Sequence, residues 1–251
     1  MLELLGSHFL LFVLIGLCAQ LVDGALGMAY GLVSSSILLA MGMPPAAVSA
    51  SVHTAEVFTT GVSGAAHGML GNVDRKLMLR LAVPGVVGGV IGATLLSRVD
   101  GDAIRPWIYG YLLLLALLIL LRAAGRRLPR GEVKRVGVLG FFSGLLDAIG
   151  GGGWGPMATS TLLASGGEAR TSIGTVSASE FAVTLAISIT FLLSIGIEHW
   201  RVIAGLLLGG AIAAPLAALL VRHVRERIVL FAVGGLVLAI SAFQIWRALA
   251  G

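Results

Sequence analysis

The chain has 251 residues, 57% of them hydrophobic and only 12% charged, with a net charge of +5 and a mean hydropathy of +1.01. So little charge excludes a soluble domain of this size. The Lys and Arg residues fall mainly in short loops, where they set membrane topology, so the cationic balance is not read as nucleic-acid binding. The single cysteine, Cys18, excludes an intrachain disulfide and a cysteine-based metal site.

The N-terminus carries Glu3, with no basic segment and no small-residue cleavage site, so no cleaved signal peptide is expected. The first apolar stretch, Phe9 to Met41, is interrupted by DGALGMAYG at Asp23 to Gly31. Three spans follow, Ala46 to Leu70, Leu77 to Ser97 and Ala103 to Arg122. The connection over residues 124–136 carries Arg126, Arg127, Arg130, Lys134 and Arg135, and reads as a basic cytoplasmic linker. A second interrupted stretch, Val138 to Ser165, contains DAIGGGGWGP at Asp147 to Pro156. Three more spans follow, Thr171 to Ile195, Val202 to Val221 and Ile228 to Trp246. Several runs reach the roughly 20 residues that cross a bilayer. They are continuous rather than alternating, which indicates helices and not a barrel.

The two halves are copies. A shift of 124 positions aligns Asp23 with Asp147, Gly27 with Gly151, Gly31 with Gly155, Glu56 with Glu180 and Thr60 with Thr184. A slip of one residue then pairs Gly71 with Gly196 and Arg122 with Arg247. Apolar matches are cheap, but two acidic pairs in register inside apolar sequence are not. The expected organisation is an N-terminal repeat over 8–123, the linker, and a C-terminal repeat over 137–249. Glycine runs make poor helix, since each costs roughly 1 kcal/mol against Ala. The interrupted stretches therefore read as broken hairpins with arms of about 14 residues, roughly 21 Å each and too short to span singly. If both re-enter, the halves are inverted and most of the 17 Lys and Arg residues lie on the linker side. The expected fold is thus an all-α polytopic membrane protein of two inverted repeats, each a broken or re-entrant hairpin plus three transmembrane helices. Paired breaks near the midplane of inverted repeats are a transporter architecture.

Glu56 and Glu180 lie deep in their spans, where a carboxylate costs several kcal/mol unless it is paired, protonated or wet. They are the first candidates for proton coupling. Asp23 and Asp147 open the Gly segments, and either cap the second arm or join the coupling. Gly24, Gly27, Gly150, Gly151, Gly152 and Gly153 would present free backbone N–H groups to an anion. Tyr30, Ser51, His53, Trp154, Thr175 and Ser177 complete the candidate binding set. His53 stands one turn from Glu56 and is able to carry a proton or donate to an anion.

At these residues the chain resembles the TauE/SafE family of anion exporters. The matching pieces are GALGMAYG (24–31), SVHTAEVFTTGVSGAAHG (51–68), GNVD (71–74), LAVPGVVGGVIGA (81–93), GGGGWGP (150–156) and SASEF (177–181). The resemblance implies a bacterial inner-membrane permease built from a duplicated helical unit. It also implies export of sulfite or small organosulfonates. Two other readings stand beside it. An importer of thiosulfate or a divalent metal would fit the same fold, although no Cys or multi-His cluster favours a metal. An intramembrane serine protease would use the GxSG stretch at Gly61 to Gly64, but the second half offers no histidine deep in a span. No cofactor is expected, the partners are a small sulfur anion and the bilayer, and exposed Gly and Ala faces would allow a homodimer.

Overall fold

The computed structural model describes residues 8–125, 135–196, 198–220 and 226–250. Among them every regular element is helical. The first half holds α1 (Phe9–Leu26), α2 (Tyr30–Ala40), α3 (Pro45–Met69), α4 (Arg75–Leu96) and α5 (Gly101–Ala123). The second holds α6 (Val136–Gly150), a π-type turn (Gly155–Thr159) running into α7 (Ser160–Ala164), then α8 (Ala169–Ile195), α9 (Trp200–Leu220) and α10 (Glu226–Ala250). The six long spans start within about two residues of the sequence reading. Most of the linker, residues 126–134, lies outside the described residues, as do Arg222 and Arg225.

Local chemistry accounts for the boundaries. Pro45 opens α3, where its missing N–H costs nothing. Asp74 caps α4 by accepting from the amides of Lys76 and Leu77 at 2.9 and 3.0 Å. Asp100 does the same for α5 through Asp102 N–H. Four helices, α4, α5, α8 and α10, are long and apolar enough to cross a membrane. Leu10, Phe58, Val62, Trp107, Leu193 and Leu249 are exposed, while serines, His53, Glu56 and Asp147 are buried. This apolar exterior over a partly polar interior suits a lipid surround.

The arms of the broken stretches are unequal, contrary to the expected pair of about 14 residues. α1 has 18 residues and α2 has 11. α6 has 15, and its return arm is a five-residue π turn joined to a five-residue helix. Gly24 and Gly150 lie inside the helices, because one glycine is a small penalty in a packed helix. The breaks start three and one residues later, at Gly27 and Gly151, which take the left-handed conformation.

Helices from opposite halves pack together. α1 runs parallel to α9, and α6 parallel to α4. A Cβ on Gly16 would collide with the Leu206 carbonyl, and one on Gly140 with the Leu81 carbonyl. These two contacts are counterparts of one another under the repeat. α3 and α8 cross in opposite directions: Thr60 meets Thr184, with Oγ1 atoms 3.4 Å apart, while Gly64 lies on Ala178 and Gly174 on Asn72. α5 and α10 are also antiparallel, with Arg122 on Glu226 and Leu120 on Gly234. The second hairpin leaves from beside the start of α4 and reaches Tyr111, midway along α5, with Gly150 and Gly153. It then comes back to Arg122, near the end of α5, with Ser160.

Candidate functional site

The two breaks meet. Gly31, at the start of α2, lies against Gly152, and a Cβ on either would overlap backbone of the other break. Each break is made the same way. Gly27 takes φ 66° and Gly151 φ 71°, and their amides donate to the carbonyls of Asp23 and Asp147 at 2.6 and 2.8 Å. Only glycine adopts this conformation without a steric penalty. The two Asp side chains then turn to the arm beyond. Asp147 Oδ1 accepts from the amides of Gly153 and Trp154 at 2.7 and 2.9 Å. Asp23 Oδ1 accepts from Tyr30 N–H at 3.3 Å. Tyr30 and Trp154 are counterparts, both buried, and each is tied to a backbone carbonyl of a neighbouring helix. Tyr30 donates its hydroxyl to the Leu206 carbonyl at 3.0 Å, and Trp154 its Nε1–H to the Val176 carbonyl at 3.3 Å.

The second break is fastened across the repeat boundary. Ser49 donates to the Ala148 carbonyl at 2.6 Å, and Ser35 donates to that of Gly151. His53 is fully buried and its Nε2 lies 3.1 Å from Asp147 Oδ2. Its Nδ1 lies 2.8 Å from the Ser49 carbonyl. The Ser49 hydroxyl lies 3.2 Å from the same Nδ1, so both ring nitrogens are engaged within the bundle.

Glu56 stands one helical turn further on α3, buried, with Oε1 pointing at Gly31. Glu180 is half-buried on α8. Each lies near both Asp23 and Asp147. Four carboxylates and one imidazole thus gather where the breaks touch. The Gly153 amide, expected to be open to an anion, is in this arrangement held by Asp147, as the Trp154 amide is, and the Tyr30 amide is held by Asp23.

The remaining candidates are distributed more widely. Gly24 is exposed on α1, and Gly27 packs on Ile173. Gly150 and Gly153 lie against the Tyr111 ring and hydroxyl. Thr175 Oγ1 accepts from Asp74 N–H at 2.9 Å, which clasps the turn at 71–74 to α8. Ser51, the counterpart of Thr175, has no such clasp. It donates to its own helix at Ala47 and lines a cavity of about 420 Å³ with Pro44, Phe58, Leu192, Glu198 and His199. One end of the α3–α8 pair is thus sealed by a docked turn, and the other is open. Ser177 donates to Ser63 at 2.8 Å, so the serine of the GxSG stretch serves a helix contact.

Sequence reading missed Tyr111 and Ser35. Their signals were a tyrosine within an apolar span and a run of three serines, Ser34 to Ser36, on an arm otherwise apolar.

A family model described as sulfite exporter TauE/SafE matches residues 12–244. A relative from Bacillus subtilis (strain 168), named "Probable membrane transporter protein YtnM", is 44% identical over 246 residues, covering 94% of this chain and 82% of the relative. No solved structure matches.

Proposed function

The chain belongs to the TauE/SafE family of membrane transporters, and from that premise we propose that it exports a small sulfur oxyanion or organosulfonate, sulfite foremost, with protons coupled through Glu56 and Glu180. The observation that carries this reading is the meeting of two glycine breaks beside four carboxylates and His53. We read the architecture as inverted repeats with re-entrant hairpins. The antiparallel crossing of the counterpart helices α3 and α8 at Thr60 and Thr184 supports this. So does the return of the second hairpin toward the end of the bundle where it began.

The mechanism follows from competition for amides. An anion at the breaks needs the N–H groups that Asp147 and Asp23 now occupy. A proton added to these carboxylates weakens their hold on the amides, since a charged acceptor binds N–H roughly twice as strongly as a neutral one. The amides then become available to a substrate oxyanion. Glu56 and Glu180 repel that anion when ionised and tolerate it when protonated. A membrane potential that is negative inside drives the anion outward by about 2.3 kcal/mol per charge per 100 mV.

The test is flux of radiolabelled sulfite from proteoliposomes under imposed pH gradients. Wild type should respond to the gradient. Glu56→Gln and Glu180→Gln should each lose at least tenfold of that response. Sulfite flux that ignores pH in wild type, or that stays unchanged in both variants, sinks the coupling role. Absence of flux for sulfite, sulfoacetate and taurine alike sinks the substrate class.

A further inference from the structure

We infer that a pocket between the end of α2, the start of α5 and the end of α10 is a second anion site, built for an oxyanion of the phosphate or sulfonate kind. Its volume is about 410 Å³, within the range of roughly 300–1,000 Å³ for small-molecule sites. Arg105, Tyr109, Gln244 and Arg247 line it, with Asp102 at the rim. Guanidinium is the side-chain group whose fork of donors matches a tetrahedral oxyanion.

The repeat shows how differently the charges are placed at the counterpart positions. Arg247 corresponds to Arg122. Arg122 is neutralised by Glu226 at 2.7 Å and also donates to Ser160. Under the same correspondence the place of Glu226 is taken by Gly101. The carboxylate here is instead Asp102, where the other half has Arg227, and the second cation is Arg105, where the other half has Leu230. Asp102 offsets only part of this. It lies 3.6 Å from Arg105, and its side chain is 90% exposed. Arg105 Nε is buried without an acceptor among the described residues.

Helix capping does not account for the arginines. The last carbonyls of α2 are already served: Tyr109 donates to Leu39 at 3.1 Å and Gln244 to Ala40 at 3.4 Å. Arg105 and Arg247 line the cavity in addition to these bonds. The site therefore carries one cation more than the carboxylates that line it, at a bundle end remote from Ala123.

A free anion and a lipid headgroup share this chemistry, and the experiment separates them. Purified protein in phosphatidylcholine nanodiscs is titrated with radiolabelled sulfite, and phosphatidylglycerol adducts are counted by native mass spectrometry. Arg247→Gln and Arg105→Gln are compared with Arg105→Lys, with thermal unfolding as the folding control. Arg247 is exposed, so its variant stands even if Arg105→Gln misfolds. Sulfite affinity at least tenfold weaker in the Gln variants, and largely kept in the Lys variant, supports a site for the free anion. Loss of a phosphatidylglycerol adduct with sulfite binding unchanged supports the headgroup. Unchanged sulfite binding together with unchanged adducts overturns the proposal. Sulfite transport that fails while the arginine-dependent binding is kept remains a separate result.

Discussion

The two breaks share a backbone and differ in what closes them. Gly27 and Gly151 have nearly the same left-handed geometry, and in both an Asp four residues earlier supplies the carbonyl. Asp147 also holds two amides and His53, all buried. Asp23 holds one amide, at 3.3 Å, beside a half-buried surface. The difference comes from the partner half. Asp147 receives His53 from α3, whereas the counterpart of His53 on α8 is Ser177, which bonds Ser63 instead. Glycine and aspartate in register make the break, and the side chain opposite decides how firmly it is held.

The strongest way to break this comparison is at Gly152. A Cβ there would overlap the backbone of Gly31 and Leu32, with nothing flexible to yield. Gly152→Ala should abolish folded protein, seen as loss of the monodisperse peak in detergent. Gly24→Ala, on an exposed helical position whose counterpart is already Ala148, should instead be neutral or stabilise by up to about 1 kcal/mol.

Next come the carboxylates. Asp147→Asn removes a charged acceptor from two amides and unpairs His53. Breaking a buried pair costs about 3–5 kcal/mol, so a fall in Tm of many degrees is expected. Asp23→Asn should cost about 1 kcal/mol, from one long bond. Equal losses would mean that His53 contributes nothing to the asymmetry.

The smallest effect is at Ala29. It has φ 111°, where the other half has Gly153. Ala29→Gly should relieve left-handed strain of about 1–2 kcal/mol, less the extra entropy of glycine, roughly 0.5–1 kcal/mol. The net is a stabilisation of about 0 to 1.5 kcal/mol, readable by thermal unfolding. A clear destabilisation would show that Ala29 is not strained.

The helical membrane class was legible from the long, nearly uncharged apolar runs, and the buried site from its acidic residues. Glu56 with Glu180 and Asp23 with Asp147 stand out against an apolar background. The capping role of Asp was legible too, being local chemistry over seven residues or fewer. The His53–Asp147 contact was not, because it joins residues 94 apart and depends on which helix of one half packs on which of the other. The occupied amides were hidden for the same reason. Sequence identifies glycine amides, but not the acceptor that reaches them. The unequal arms were missed because helix persists through a single glycine when neighbours support it.

The glycine seats have one more implication. α1 rests on α9 and α6 rests on α4, so each hairpin is clasped by a helix from the opposite half, backbone against backbone. Neither half is a self-sufficient folding unit, and severing the tether over residues 126–134 should yield fragments that are unstable apart yet reassemble when co-expressed. A gene encoding only one such half would have needed a second chain to supply these contacts.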